Sequence, residues 1–531
     1  MPQIAAADRL FEDNVRSARA ERFELCGRPI ADWRQQARTE LLRDAIRYTG
    51  SYRKVGATLV SAADDTGTAT PSIVMAGHQP TLFHPGVWFK NFALDRVARS
   101  LSRTRPAAPV IAINLVIDND VATTSSIRVP LWDPVAARAG RDSIAYDSAA
   151  GGVPYELNRI RDLTRFEGFG DAVGKAISPI VANPAVSRLW PHAVAAAKRC
   201  ENVSCALAQA RHSLEAELGL ETLELPLSVA CRGTPFAAFA YELLASAPWF
   251  RQIYNGSATD YRIANHIRSS AHPVPNLAAD GEWIEAPFWI YSDRSPQRRP
   301  AWVRTDNGGL EISDRRGLSI TVASRTPSLA AANELAERLG PEFKLRPRAL
   351  ATTIYSRLVL SDLFVHGIGG AKYDELGDEI MRRYFAVHPP GLMVVTATML
   401  LPTAGLRPAA EPDRIESLTR QLRRTRFAPE SFADEVDLPE SLCHEKIELL
   451  ANIPAHGRRR SWQRQIESVN QRLSERLGGV RQRLSEALAE AKRFESDTAV
   501  LNNREYSFCL HELDELTASF DRLLTPTPES G

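Results

Sequence analysis

The chain has 531 residues, 44% of them hydrophobic and 24% charged, a balance that excludes disordered and fibrous classes. Sixty-five basic against 64 acidic residues leave a formal net charge of +1. That excludes a global electrostatic pull toward nucleic acid or a membrane surface.

Residues 1–70 carry Leu10, Val15, Leu25, Trp33, Leu41, Leu42 and Ile46 at helical spacing and are expected to form an N-terminal helical segment. A short apolar strand follows at Ile73–Ala76. A turn with two histidines and two glycines comes next, and then an amphipathic helix from near Val87 to Leu101. The run Pro109–Ile117 is β-branched and almost continuous, the pattern of a parallel strand covered on both faces, and it closes on Asp118-Asn119-Asp120. Strand, helix and strand in this order predict a βαβ unit with a right-handed crossover. Residues 161–218 read as helical, Glu224–Ala230 as a strand, and Pro235–Ala245 as a helix. Between 281 and 325, alternating patterns predict a small antiparallel insertion with a hairpin turning at Asn307-Gly308. The α/β core, begun over 71–280, is expected to resume over 326–430. A helix over 350–363, a glycine-rich loop at 366–370, a helix over 373–385 and a strand over 392–398 are predicted there. Residues 431–531 form the last segment. Apolar residues at Ile466, Val469, Leu473, Leu477, Val480, Leu484, Ala487, Ala491 and Phe494 step by three and four, so a coiled-coil seam in an antiparallel helical hairpin is predicted. Gly478-Gly479 interrupts its register. The fold class is thus α/β: a Rossmann-like parallel-sheet core with an antiparallel insertion and a C-terminal helical arm, which is either an intramolecular arm or a surface for homodimerisation.

No uninterrupted apolar run is long enough to span a membrane, and Met1–Asp8 leads directly into charged residues rather than a signal-type apolar region. A cytoplasmic protein is expected. Six cysteines (Cys26, Cys200, Cys205, Cys231, Cys443 and Cys509) form no CxxC pair and no zinc spacing, and read as reduced thiols.

Three places carry candidate chemistry. The first is Gly77-His78-Gln79 through His84-Pro85-Gly86 and Lys90. A turn at the carboxyl end of a strand gathers polar groups there, and the new helix offers free N–H groups to an anion. His78 and His84 are the candidates to stabilise phosphate charge, with Lys90 as a point charge. Gly77, Gln79 and Gly86 are the candidates to line the phosphate. The alternative is a corner whose histidines bond backbone. The second place is Asp118 and Asp120, suited to orient an acceptor or a magnesium ion, or else a turn favoured by Asp and Asn. The third is His366-Gly367-Ile368-Gly369-Gly370-Ala371-Lys372. There, His366, Gly367, Gly369, Gly370 and Lys372 let backbone approach an anion just before a helix, although the segment is neither a P-loop nor GxGxxG. The alternative is a tight turn between helices. Arg346, Arg348 and Arg357 are further candidates for anion contact.

The stretch Ala76-Gly77-His78-Gln79-Pro-Thr-Leu82-Phe83-His-Pro-Gly86, followed by Lys90, resembles the bacillithiol biosynthesis cysteine-adding enzyme family. That family has a Gly-Gln-Gln turn, then Leu-Phe, Gly-Pro and a helical lysine. Gly77, Gln79, Gly86 and Lys90 match that motif, and Asp118-Asn119-Asp120 matches an acidic cluster after the next strand. His78 stands where the family has glutamine, and His78 and His84 rest on the reading of the residues alone. The resemblance implies a nucleotide-binding Rossmann-like core, ligation of cysteine to a glucosaminyl malate, and a coiled coil that serves dimerisation. The expected ligands are ATP, ADP or another nucleotide together with a small-molecule acceptor, with magnesium a candidate companion. The expected function is a ligase or nucleotidyl-transferase-type enzyme. The alternative is a non-catalytic nucleotide- or sugar-binding protein.

Overall fold

All seven residues of Val110–Val116 are buried, as a β-branched run at the centre of a parallel sheet requires. In the computed structural model, which describes residues 6–56, 59–60, 71–105, 109–148, 151–306, 308–403, 406, 413–454, 457 and 459–525, this run lies within a five-stranded parallel sheet. Its strands, numbered in chain order, are β1 (Ser72–His78), β2 (Val110–Val116), β3 (Leu223–Pro226), β4 (Leu363–Gly367) and β5 (Leu392–Val395). Across the sheet they run β5-β4-β1-β2-β3. The chain therefore builds outward from β1 on one side, then returns to build outward on the other. The order reverses between β1 and β4, which are direct neighbours in register from Leu363↔Val74 to Val365↔Ala76.

Alternation along these strands separates two faces. Ile73, Met75, Ile111, Ile113, Leu223 and Leu225 join Trp33, Leu41 and Phe239 of helices 30–50 and 234–245 in one apolar cluster. The other face places Ala76, Asn114 and Glu224 in one row across three strands. That row belongs to a polar interior shared with helices 85–103 and 203–217. Arg211 pairs with Glu215 and Glu224, and the Asn91 amide and Trp88 indole N–H also donate to Glu215.

Three sequence expectations are corrected here. The segment 350–363, expected as one helix, is an α-helix over 349–355 that widens into a π-turn over 356–360 and ends before β4. Residues 363–367, expected to finish a helix and open a loop, are instead the fourth parallel strand, with a helix starting at Ile368. Likewise 224–230 splits into β3 and a short helix, Leu227–Ala230.

The antiparallel sheet runs 319–322, 309–313, 299–306, 283–291, 344–347, with 279–280 added on 283–291. Asp306 pairs with Gly309, so the hairpin turns where the sequence predicts. Asn307 itself lies outside the described residues. The sheet extends past the expected limit of 325, because Lys344–Pro347 returns to pair with 288–291.

The chain divides into two compact units. The first comprises 1–129, 142–399 and 504–531; the second comprises 130–141 and 400–503. The helical unit therefore starts well before the expected 431 and ends before 504. It contains helices 414–427, 440–451, 459–474 and 478–501. The predicted seam residues Val469, Leu473, Leu477, Val480 and Leu484 are buried there with Phe432, Leu438 and Leu442. A 3-10 turn over 475–477 breaks the long helix just before Gly478-Gly479. Among the described residues no helix is long and apolar enough to cross a membrane.

Candidate functional site

In an open parallel sheet, the crevice for a ligand lies at the carboxyl edge where strand order reverses. Here that edge is formed by Gly77 and His78 of β1 and by His366 and Gly367 of β4. The two segments singled out in the sequence, some 290 positions apart, are thus neighbours because their strands pair.

The helices that follow these two strands end differently. The N-terminus of helix 85–103 is closed by its own chain: His84 is the N-cap, and its Nδ1 accepts the Gly86 N–H at 3.1 Å. This bond needs a bare Nδ1, so the proton sits on Nε2, 3.9 Å from Glu505. Gly86 is demanded by packing, since an added Cβ would lie 2.3 Å from the Ala397 carbonyl oxygen. The Gly86 N–H expected to face a phosphate is thus used within the chain, and His84 spends its Nδ1 as the cap of its own helix. Helix 368–380, by contrast, begins after Gly367 with no side-chain cap. A Cβ at Gly367 or Gly369 would meet nothing within 4 Å, so packing does not require glycine at either. Gly370 differs, because a Cβ there would fall 1.8 Å from His366 Cε1.

Basic side chains gather at this edge. Lys90 is buried and donates its Nζ to the Gly77 carbonyl at 2.5 Å. Burial, helped by the nearby Arg211 charge, lowers its pKa to about 8. His78 is buried against Phe83 and is held well below the usual histidine range by desolvation, then by Arg211 and Lys90. Its Nε2 lacks a well-formed hydrogen bond, as do both side-chain atoms of Asn114. His366 falls to about 4 through burial and then the Lys90 charge. Its Nε2 lies 3.5 Å from Asp374, a buried carboxyl that desolvation raises to about 7. Lys372 is exposed, and its carbonyl accepts from the Tyr261 hydroxyl at 2.8 Å.

Beside them, at the end of β2, the acidic triplet is held from within. Asp118 accepts from the Ser228 N–H at 2.9 Å and from the Ser228 hydroxyl at 2.5 Å. Burial and then the neighbouring Glu156 raise its pKa. Asp120 accepts from the Val121 N–H and from Arg298 through Oδ1, and from Gln79 at 3.3 Å through Oδ2. These carboxylate oxygens are thus engaged by the chain's own donors. Among the described residues no cluster of three or more His, Cys, Asp or Glu is placed to hold a metal.

The antiparallel sheet supplies what local sequence reading missed. Arg346 grips Glu156 with two bonds at 2.9 and 3.1 Å, and Tyr291 also donates to Glu156. Lys344 stands 3.7 Å from Glu156 and 3.1 Å from Asp293. Arg298 and Arg348 lie over the Trp289 ring at 4.4 and 4.2 Å. Of the arginines expected to contact an anion, Arg346 is thus committed to Glu156 and Arg348 to Glu285, while Arg357 pairs with Asp378. The Arg346-Pro-Arg348 signal was visible in the sequence. Glu156 was not, because its partner lies 190 positions away and nothing local marks it. No family model matches this chain, and no curated protein matches it.

Proposed function

We propose that this chain is a Rossmann-like, nucleotide- or phosphate-binding enzyme of ligase or nucleotidyl-transferase type, acting on a small-molecule acceptor. The resemblance at Gly77, Gln79, Gly86 and Lys90 points to cysteine addition to an amino-sugar conjugate. The observation that carries the reading is the uncapped helix 368–380 at the strand-order reversal, beside Lys90, His78 and His366. Its first-turn N–H groups and the dipole behind them favour negative charge. Burial first, and then the Arg211 and Lys90 charges, hold His78 and His366 neutral, and a phosphate placed beside them would favour their protonated forms. Lys90 acts through its field rather than by contact, since its ammonium is tied to Gly77. ATP or ADP meets these requirements. The exposed Ile447, Leu450 and Ile453 support association through the helical unit, as a homodimer requires.

A second reading, a non-catalytic nucleotide- or sugar-binding protein, is favoured by the internal commitments of His84, Asp118 and Asp120. Thermal-shift titration with ATP, ADP, CTP and sugar phosphates tests binding, because a ligand that prefers the folded state stabilises it by about 2.7 kcal/mol at a hundredfold excess over Kd. Gly369→Glu places a carboxylate where no side chain is met. It should abolish that shift yet leave the ligand-free protein as stable or more so, by about 0.3–1 kcal/mol. If no ligand shifts the wild type, or if the variant keeps the full shift, the binding reading falls. Binding with no turnover on any acceptor assigns the second reading.

A further inference from the structure

The net charge of +1 hides a segregation of charge inside the helical unit. Helix 414–427 carries five arginines against Glu416 alone, and residues 459–483 carry seven against Glu467 and Glu475. The segment between them, 429–448, has seven carboxylates against Lys446. Part of this difference is settled internally, because Arg472 lies 3.5 Å from Glu445 and Arg483 pairs with Glu435. Arg423, Arg424, Arg426, Arg476 and Arg481 are exposed, and among the described residues no carboxylate pairs with them.

These arginines flank one junction. The Ser474 hydroxyl donates to the Thr425 carbonyl at 2.6 Å, and Arg481 donates to the Ser474 carbonyl at 2.9 Å. The ends of helices 414–427 and 459–474 are thereby set beside the start of helix 478–501. Phe427, 56% exposed, closes the first of these helices, with the Arg423 and Arg426 guanidiniums 5.6 and 5.4 Å from its ring centre. A helix C-terminus favours cations, so Arg424 and Arg426 suit their own helix. Arg476 and Arg481 instead flank a helix N-terminus with no acidic residue in its first turn, where the dipole opposes them. Arg459 and Arg460 open helix 459–474 in the same way. The helix dipoles do not favour those positions, whereas an external polyanion does.

We propose that this junction binds single-stranded nucleic acid, with the five arginines on phosphates and Phe427 beneath an unpaired base. Each phosphate neutralised releases condensed counterions, so five contacts make the affinity steeply dependent on salt. A half-exposed ring beside two guanidiniums offers a stacking face to any base, and only an unpaired base can reach it. The surface lies within the helical unit alone and is independent of the reading of the crevice.

Fluorescence anisotropy of the full-length protein with a labelled oligouridylate of about 20 nucleotides tests this. Between 50 and 200 mM salt its affinity should fall about a hundredfold, as about five phosphate contacts on a single strand require. The triple variant Arg424→Gln, Arg426→Gln, Arg476→Gln should reduce the steepness of log affinity against log salt by about 2. At fixed salt, Phe427→Ala should weaken binding by about fivefold or more. All four side chains are exposed, so these variants should melt as the wild type does. Arg483→Gln, whose side chain is held by Glu435, should bind as the wild type does. The inference is overturned if the oligonucleotide does not bind at 50 mM salt, if the triple variant keeps the wild-type salt dependence, if Phe427→Ala binds unchanged, or if a duplex of the same length binds as tightly.

Discussion

His84 belongs to the second histidine position of the first loop, yet its ring caps the helix it introduces. His84→Ala should therefore cost about 1 kcal/mol of stability, the usual effect of losing an N-cap acceptor, and leave any nucleotide-induced thermal shift in place. A loss of binding with unchanged stability in denaturant titrations would restore the catalytic reading of this residue. Asp374 behaves differently, because burial raises its carboxyl to about 7, well above the unfolded value. Across the window from about 4 to about 7 the folded protein holds a proton that the unfolded chain has released. Its contribution to stability is present below that window and is lost as pH rises through it. Asp374→Asn removes the titration. Its melting temperature relative to wild type should rise between pH 5 and pH 8, and a pH-independent difference in thermal melts would refute this.

Two strand-to-helix junctions lie next to each other at the carboxyl edge, and their elements have been built for different ends. Helix 85–103 is fastened at its start by His84 and along its length by packing from the far end of the chain. Phe508 sits 4.4 Å from Trp88, and Phe520 sits 4.9 Å from Phe92 and 5.3 Å from Phe89. The terminal helix 513–524 is thus a wall of the first unit, although in sequence it follows the helical unit. Phe520 is fully buried, so Phe520→Ala should destabilise the protein by about 3–5 kcal/mol in urea unfolding. A cost below about 1 kcal/mol would mean that this helix is not integral to the unit. Helix 368–380 carries no comparable cap, and its glycines at 367 and 369 stand in open space.

At the scale of the whole molecule, the five-stranded sheet brings together chain segments that the sequence keeps hundreds of residues apart. β1, helix 85–103 and β2 were legible because apolar runs, a Gly/His/Pro turn and a 3.6-residue period are local signals. The apolar seam of the helical unit was legible for the same reason. β4 was not. Leu363-Phe364-Val365 is too short to separate by periodicity from the helix before it, and its strand character comes from pairing with β1 and β5 on either side. The boundaries of the second unit were hidden likewise, since 130–141 and 504–531 join their units through contacts remote in sequence. The composition, the parallel strand run, the polar turn at 77–90 and the glycines at 367–370 were determined by the amino-acid sequence alone. Tertiary structure decided that β4 lies against β1, that His84 and Gly86 close one helix while the next stays open, and that Arg346 meets Glu156. Each of these depends on which distant backbone or charge fills the space beside a residue, and such long-range neighbours leave no periodic trace in the sequence.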